Sequence, residues 1–302
     1  MSDAAGQPRF GYVALVGRPN VGKSTLLNAL LEQKISITAH KPQTTRHQIL
    51  GICHDPAGQI VFVDTPGMHV VKAGDSAMNR YMNRMADSVT ADVNLVAWLV
   101  DARGLTQADE AIGRRLKQRE VPLYVVINKI DLVSDKTTLL PLTERLAEEY
   151  SPAEIVPVSA RRGDALDTLK TALLAGLPEG APEYGEDEIT NRSSRFIATE
   201  FIREQVTRRL HQELPYAATV DIDMFRQESQ VLHIAATIFV EREGQKGIVI
   251  GNRGETLKGI GTAARRSLET FFGCRVNLKL WVKVRKGWSD DERALQHLGY
   301  RD

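Results

Sequence analysis

Short apolar runs alternate with amphipathic segments over the first part of the chain. The runs are of strand length, and most segments between them are long enough for a helix. The predicted strands are Phe10–Val16, Gln59–Val63, Leu95–Val100, Leu123–Ile127 and Ile155–Val158. A helical pattern from Lys23 onward carries Leu26, Leu27, Leu30 and Leu31 on one side. This alternation predicts an α/β domain with a mostly parallel sheet, helices on both faces and ligands beyond the carboxyl ends of the strands.

The alternation stops at Leu177–Pro182, and the acidic segment Glu183–Glu188 follows. We therefore predict a first domain at 8–178, a linker at 179–193 and a second domain at 194–302. In the second domain the pattern predicts the order helix, strand, strand, helix, helix, strand. These elements are Arg195–Leu210, Ala217–Phe225, Val231–Val240, Gln245–Ile250, a helix ending near Phe272 and Val276–Val284. This order predicts a smaller α+β domain.

Composition narrows the class of protein. A chain of 302 residues suits two domains, each with its own core. The sequence has no run of about 18 apolar residues, and its start lacks a basic region followed by an apolar one, so we expect neither a membrane span nor export. Cys53 and Cys274 are far apart, which indicates neither a disulfide framework nor a zinc site. We expect a cytoplasmic protein.

The net charge of +1 does not predict a uniformly basic nucleic-acid binder. The window Lys246–Lys286 differs, because it contains ten lysines and arginines and only two acidic residues, which gives a local charge of +8. The sequence therefore predicts one basic face rather than a basic protein.

The segment Gly17–Ser24 reads GRPNVGKS and fits the phosphate-binding pattern GxxxxGK[ST] between a strand and a helix. Its backbone N–H groups and the helix amino terminus would surround phosphates, Lys23 would reach the outer phosphates, and Ser24 would bind Mg²⁺. The expected contacts are Gly17, Asn20, Val21, Gly22, Lys23, Ser24 and Thr25. The alternative is a glycine-rich turn with an ordinary helix cap.

The segment Asn128–Asp131, NKID, predicts the base. A carboxylate such as Asp131 can accept hydrogen bonds from N1–H and the N2 amino group of guanine, whereas adenine leaves it unpaired. Asn128 would face the purine N7, Lys129 would stack along the base, and Ser159-Ala160 would place backbone N–H groups near the guanine oxygen. The alternative is a polar turn in which Asp131 caps a helix.

A third motif, Asp64–Gly67, follows another predicted strand. Asp64 would hold Mg²⁺ through water, and the Gly67 N–H would meet the γ-phosphate. The order and spacing of the motifs predict a site for GTP or GDP with Mg²⁺.

Together these motifs resemble those of the translation-factor-related GTPases, and Gln43–His47 resembles the first switch of the Era family. The resemblance implies that a switch threonine completes the Mg²⁺ shell, and we expect Thr45, with Thr44 as the alternative.

Met68 stands where Ras-type enzymes have a water-orienting glutamine, so we expect slow intrinsic hydrolysis. Related GTPases use K⁺ near the residue matching Asn20, and the alternative for Asn20 is to stabilise its loop. The expected catalytic residues are Lys23, Thr45, Gly67 and Asn20.

Gly251–Gly254, GNRG, fits the GXXG loop of a KH domain, which lets nucleic-acid backbone approach. The order of elements around it is that of the bacterial, type II KH domain. The predicted RNA contacts are Gly251, Asn252, Arg253, Gly254, Lys258, Arg265 and Lys246. The alternative is a helix-turn-helix with solvated basic faces. We expect Ile248 and Ile250 in the core or groove wall and Trp281 packed inward, and leave the role of Trp288 open.

Resemblance to Era proteins extends over nearly the whole chain, including Glu213–Tyr216, Gln245–Ile248 and Leu280–Val284. It implies binding near the 3′ end of small-subunit ribosomal RNA and a role in assembly of the 30S subunit. It also implies peripheral association with the inner face of the membrane, and we expect a monomer. One alternative is a GTPase whose second domain docks proteins in RNA modification or another process. Another is a static RNA chaperone.

Overall fold

The computed structural model describes residues 7–39, 41, 44–65, 81, 92–210 and 217–291. Contacts divide these residues into two units. The first contains the described residues of 1–36, 45–72 and 82–191, and the second contains those of 37–44, 73–81 and 192–302. Residues 37–44 therefore belong to the second unit, although both flanking segments belong to the first.

A six-stranded sheet forms the centre of the first unit. Its strands are β1 Arg9–Val16, β2 Ile49–Asp55, β3 Gly58–Asp64, β4 Leu95–Asp101, β5 Leu123–Asn128 and β6 Glu154–Val158. They lie in the order β2-β3-β1-β4-β5-β6, and β2 alone runs antiparallel to its neighbour. Strands β3, β4 and β5 are buried along their whole length, which explains their nearly continuous apolar sequences. The predicted, mostly parallel α/β fold is confirmed.

A helix follows each of four strands of this sheet, β1, β4, β5 and β6. The helices are α1 Lys23–Leu30, α2 Gln107–Lys117, α3 Leu139–Tyr150 and α4 Leu166–Gly176. Helix α2 begins at a capping box, in which the Thr106 hydroxyl accepts from the Asp109 N–H and the Asp109 carboxylate accepts from the Thr106 N–H. Leu26, Leu27 and Leu30 of α1 are buried, as their spacing predicts.

The carboxyl ends of the parallel strands carry polar residues to one edge of the sheet. Asp64, Asp101 and Asn128 are the last residues of β3, β4 and β5, and Ser159 follows β6. All four are buried. Because parallel strands end on the same side, this edge collects the polar groups of the candidate site.

Part of the predicted linker is built into the first unit. The N–H of Ile52 in β2 donates to the carbonyl of Ile189 at 2.9 Å, and Gln59 Nε2 in β3 donates to the carbonyl of Tyr184 at 2.8 Å. Gln59 Oε1 also accepts from the N–H groups of Glu183 and Tyr184. Residues 183–191 thus lie along strands of the first sheet.

The second unit follows the predicted order of helix, strand, strand, helix, helix, strand. Its elements are α5 Ser194–Arg209, β7 Ala218–Glu228, β8 Val231–Val240, α6 Glu243–Ile250, α7 Glu255–Phe272 and β9 Arg275–Val284. In the sheet β7-β8-β9, the first pair is antiparallel and the second parallel. The predicted α+β domain is confirmed.

The helices of the second unit pack on one face of its sheet. Phe201 of α5 meets Phe271 of α7 edge to face, with ring centroids 5.3 Å apart. The expectation that Trp281 packs inward is wrong, because its side chain is 47% exposed. Trp288 is buried instead, and its indole N–H donates to the carbonyl of Ala217 at 3.1 Å. Among the described residues, none of the helices is both long and apolar enough to cross a bilayer.

Candidate functional site

The loop between β1 and α1 has the backbone that the phosphate-binding motif requires. Gly22 has a φ of +110°, and a Cβ at this position would collide with the side-chain amide of Asn128. Gly17 has a φ of +154°, and Asn20 is also in the left-handed region, at +62°. Val21 is buried beneath the loop. These conformations turn the chain tightly before α1, whose first turn contains Lys23, Ser24 and Thr25.

Lys23 lies against this loop and is only 6% exposed. Its Nζ donates to the carbonyls of Gly17 at 2.9 Å and Arg18 at 3.2 Å. Burial lowers the pKa of Lys23 to about 8, with the Arg18 guanidinium adding to this effect and Asp64 opposing it. A buried ammonium at the end of the loop is suited to binding phosphate oxygens.

Three predicted Mg²⁺ ligands meet beside the loop. Ser24 Oγ lies 2.8 Å from Thr45 Oγ1 and donates to Asp64 Oδ2 at 2.8 Å. Ser36 Oγ donates to the same carboxylate oxygen at 2.8 Å. Asp64 Oδ1 is buried and has no hydrogen-bond partner among the described residues. Burial raises the pKa of Asp64, although Lys23 opposes this shift. Two hydroxyls and a carboxylate are hard oxygen donors, which fit Mg²⁺.

The two candidate switch threonines point to different partners. Thr45 Oγ1 contacts Ser24, whereas Thr44 Oγ1 donates to the carbonyl of Lys41 at 2.6 Å. The Thr44 carbonyl accepts from Arg203 of α5. This geometry favours Thr45 as the ligand.

Residues of the 37–44 segment are held by the last turns of α5. Glu204 is fully buried and accepts from the Thr38 N–H at 3.0 Å. Arg208 donates to the Thr38 carbonyl at 2.9 Å, and Lys41 Nζ donates to the Thr207 carbonyl at 2.6 Å. We call these contacts, with the one between Arg203 and Thr44, the α5 clamp. It fixes the backbone immediately before Thr45.

The NKID motif joins the other parts of the candidate guanine site. Asn128 Nδ2 donates to the carbonyl of Val21 in the phosphate loop at 2.9 Å, and its Oδ1 accepts from the Ala160 N–H at 3.1 Å. Ser159 Oγ donates to Asp131 Oδ1 at 2.8 Å. The structure therefore brings together three segments that lie far apart in sequence.

Lys129 spans the site from the base motif to the phosphate loop. It has a φ of +69°, and its Nζ donates to the Asn20 carbonyl at 2.7 Å and to Asp101 Oδ2 at 2.9 Å. These contacts fix the aliphatic stem of Lys129, for which we expect a position along the base.

Asp101 is a residue of this site that sequence reasoning missed. It is 1% exposed and accepts hydrogen bonds from both Arg103 and Lys129. Burial acts to raise the pKa of Asp101, but these hydrogen bonds hold it well below its usual value. Its position could have indicated its role, because Asp101 ends β4 as Asp64 ends β3. Arg18 extends the network, since its guanidinium lies 3.7 Å from Asp101 and pairs with the buried Asp109 at 3.0 Å.

Three parts of the predicted site lie outside the described residues. They are Gly67, Met68 and Gln43. The expectations attached to them remain predictions from sequence.

The GNRG segment forms the tight turn between α6 and α7. Gly251 has a φ of +75°, and a Cβ there would collide with Thr256, while Arg253 adopts a left-handed φ of +48°. Asn252 and Arg253 are exposed. Glycine at position 251 allows the chain to turn closely over Thr256. The tight turn places Asn252 and Arg253 at the surface.

A cavity of about 400 Å³ lies beside this turn, between α7 and β9. Three predicted RNA contacts, Gly254, Lys258 and Arg265, line it with Leu278 and Leu280. Lys246 is outside the lining and lies 3.9 Å from Glu243. Ile248 is 55% exposed beside the turn, so it is not a core residue. An apolar floor with cations at the rim suits unpaired bases with their phosphates outside.

Comparisons with protein families divide the chain in the same way. Residues 12–129 match the family of 50S ribosome-binding GTPases, and residues 213–289 match the KH domain family. A curated relative named GTPase Era, from Azotobacter vinelandii, is 53% identical over 294 residues, or 97% of each chain. GTPase Era of Pseudomonas aeruginosa is 51% identical over 97% of this chain and 96% of its own.

Two solved structures resemble the whole chain with a TM-score of 0.93 and 38% identity. One is Era in complex with MgGDPNP and nucleotides 1506–1542 of 16S ribosomal RNA, which covers 98% of this chain and 100% of its own. The other is an Aquifex aeolicus Era variant bound to GDP·AlF4⁻, which covers 97% and 100%.

Proposed function

The chain belongs to the Era family of GTPases, and from that membership we propose that it binds the 3′ region of small-subunit ribosomal RNA and assists assembly of the 30S subunit. As a member of the family it is a GTPase that uses GTP or GDP with Mg²⁺. The observation that carries the proposal is the presence of both sites on one chain. Ser24, Thr45 and Asp64 meet beside the phosphate loop, and the GNRG turn borders a basic-rimmed cavity.

Each part of the nucleotide site has a separate role in this proposal. The loop from Gly17 to Thr25 binds the phosphates, Lys23 neutralises their charge, and Asp131 selects guanine. Asn128 and the backbone of Ala160 would contact the edge of the base. Asn128 is held by Val21 and Ala160, Asp131 by Ser159, and Lys129 by Asp101. Ser24, Thr45 and Asp64 would hold Mg²⁺, which when bound offsets charge on the β- and γ-phosphates.

Hydrolysis is slow in this proposal because the sequence has Met68 where a glutamine would orient water. The Gly67 N–H would stabilise the γ-phosphate. Asn20 would help to bind K⁺, which adds positive charge near the phosphates. We expect turnover at least several-fold faster in K⁺ than in Na⁺, and a loss of that difference in Asn20→Ala. Equal rates in the two salts would remove K⁺ from the mechanism.

The second unit binds RNA in this proposal. The GNRG turn admits the backbone, Arg253, Lys258 and Arg265 contact phosphates, and Lys246 adds charge nearby. The cavity floor of Leu278 and Leu280 holds unpaired bases. We expect Arg253→Gln to weaken RNA binding and to reduce its salt dependence by roughly 0.7 in the logarithmic slope.

Nucleotide state and RNA binding are coupled through the α5 clamp in this proposal. Thr45 would respond to Mg²⁺ and the γ-phosphate, and the residue before it is tied to α5 of the second unit. Movement of Thr45 would therefore strain or relax contacts made by that helix. The protein would act as a cytoplasmic monomer, with contact to the inner face of the membrane as a further prediction.

The test is the affinity of the full chain for an RNA from the 3′ end of the small-subunit ribosomal RNA, measured with GDP and with a non-hydrolysable GTP analogue. We expect tighter binding with the analogue by about fivefold or more, as in typical coupled systems. Binding that ignores the nucleotide would favour a static RNA chaperone. The absence of RNA binding in low salt would favour a protein-docking role for the second unit.

A further inference from the structure

Strand β9 presents a row of exposed residues on the face of its sheet opposite the helices. The row consists of Arg275, Asn277, Lys279, Trp281 and Lys283, all exposed. Residues two apart on a strand point the same way and lie about 7 Å apart. The strand therefore carries three cations, an amide and an indole in one line, which we call the β9 row.

The other face of the same strand belongs to the cavity. Leu278 and Leu280 alternate with the row and line the cavity beside the GNRG turn. Within the described part of the chain, β9 pairs with β8 on one side and forms the edge of its sheet on the other. A polymer that leaves the cavity past this edge would reach the β9 row directly.

Packing does not account for the exposed indole. Trp281 lies opposite Thr237 of β8, which is only 1% exposed and donates to Asp223 at 2.8 Å. Nearly half of the tryptophan surface remains accessible beside this neighbour. A large aromatic side chain in such a position is typical of an interaction surface rather than a core.

The cations of the row are available for an external partner. Among the described residues, Arg275, Lys279 and Lys283 form no ion pair. The exposed carboxylates on the same face, Asp221, Asp223 and Glu228, belong to β7. Two of them reach β8, since Asp223 accepts from Thr237 and Glu228 lies 3.8 Å from His233, but none is paired with a cation of β9. A polyanion would therefore be confined to the β9 side of the sheet.

We propose that the β9 row is a second RNA-binding surface, which takes single-stranded RNA that continues beyond the cavity. Trp281 stacks on a base, and Arg275, Lys279 and Lys283 contact successive phosphates. Single-strand binding sites combine these two elements, an aromatic platform and a line of cations. An anionic membrane is less suitable, because one indole offers little apolar area for insertion. The inference rests on the proposed function, since RNA must first occupy the cavity.

The experiment compares RNAs of two lengths on the full-length protein with a GTP analogue. The short probe is a single strand of about ten nucleotides from the 3′ region, and the long probes extend it by about ten uridines at either end. We expect wild type to bind one long probe more tightly than the short one. Trp281→Ala should remove about five- to a hundredfold of affinity for that probe and leave the short probe unaffected. Trp281→Phe should keep most of the affinity.

The cations have their own measurement. A triple variant, Arg275→Gln, Lys279→Gln and Lys283→Gln, should lower the logarithmic salt slope for the long probe by about 2, since each phosphate contact contributes about 0.7. Arg226→Gln is the matched control, because Arg226 is an exposed cation of β7 paired with Glu228, and this variant should bind both probes as wild type does.

Three outcomes would overturn the inference. Equal affinity of wild type for the short and long probes would show that RNA does not extend to the row. Equal losses for both probes in Trp281→Ala would assign that residue to the cavity or to folding. Retained RNA affinity in Trp281→Ala, with loss of sedimentation on phosphatidylserine vesicles, would assign the row to a membrane. If wild type bound neither probe, the proposed function itself would fail.

Discussion

Asp101 supports, through one buried carboxylate, the connection between two parts of the nucleotide site. It accepts from Lys129 of the base motif at 2.9 Å, and Lys129 in turn donates to the Asn20 carbonyl of the phosphate loop. Hydrogen bonds to an ionised, buried acceptor are stronger than neutral ones. We therefore regard Asp101 as a positioning residue for Lys129.

We expect Asp101→Asn to weaken GDP and GTP binding by about tenfold, because a charge-assisted hydrogen bond to Lys129 is replaced by a weaker one. Titration with a fluorescent GDP analogue measures the effect. Arg103→Gln is the control, because Arg103 bonds to the same carboxylate but its side chain is 60% exposed. Equal losses in both variants would contradict a specific role for the contact with Lys129.

The ionisation of Lys23 predicts a pH dependence of stability. Burial lowers its pKa to about 8 in the folded protein, from an ordinary value of 10.5. The unfolded chain then holds this proton more tightly, so the destabilisation is complete below pH 8 and is relieved as the pH rises. We expect the free energy of unfolding of the nucleotide-free protein to increase between about pH 8 and pH 10.

Lys23→Met provides the comparison for that measurement. Urea unfolding of both proteins across this range gives a difference that isolates Lys23, because other groups contribute equally to both. The subtraction is needed because burial raises the pKa of Tyr124 and Tyr150. Tyrosines with a raised pKa lower the free energy of unfolding at high pH, in opposition to Lys23. A constant difference between the two proteins would contradict the expected shift.

At the scale of elements, sequence patterns predicted the long, uniformly apolar strands but missed β2. Its sequence, ILGICHD, contains Gly51 and His54, and its stability depends on antiparallel pairing with β3 and on the bond from Ile52 to Ile189. Strand pairing of this kind is not visible as a local pattern of apolar residues.

The error at Trp281 has another cause. Residues two apart on a strand point to the same face, so Trp281 must lie on the face of Lys279 and Lys283. Asp101 was missed because no motif surrounds it.

Helix α5 contains a buried ion pair that predicts the cost of substitution there. Arg203 and Glu200 are each 2% exposed and lie 2.6 Å apart. Arg203→Met leaves the Glu200 carboxylate buried without its main cation, and we expect a loss of roughly 3 kcal/mol in the free energy of unfolding.

A double variant distinguishes the pair from the packing around it. Replacing both partners, Arg203→Met with Glu200→Met, removes the unpaired charge and should recover part of the stability, because apolar side chains of similar volume can replace a buried pair. The bond from Arg203 to the Thr44 carbonyl is absent from both variants and does not affect their difference. Chemical unfolding of the three proteins measures this. If the double variant were less stable than Arg203→Met, the pair itself would not explain the loss.

At the scale of the whole molecule, the α5 clamp predicts a variant that separates the two activities. Lys41→Met removes the bonds to the carbonyls of Thr207 and Leu210 without altering the residues that bind GTP in the proposed function. We expect guanine-nucleotide affinity to stay within about twofold of wild type, while the effect of the GTP analogue on RNA affinity becomes smaller, because the clamp loses one of its side chains and keeps the others.

Lys117→Met is the matched control, because Lys117 also donates to a carbonyl near the end of a helix, that of Glu149 at 2.7 Å, but within the first unit. This variant should keep the full nucleotide effect on RNA binding. An undiminished effect in Lys41→Met would show that the Lys41 contact of the clamp does not carry the coupling.

The assignment of residues 37–44 to the second unit also changes how the protein can be divided. A fragment ending at 178 would retain this segment but lose the helix that holds it, and a fragment starting at 194 would retain the helix but lose the segment. Gene truncation would therefore leave Glu204 and Arg203 without partners that lie about 160 positions earlier in the chain. The two activities are encoded by overlapping stretches of sequence, so exchange of whole domains between family members would require the donor's 37–44 segment to travel with its KH domain.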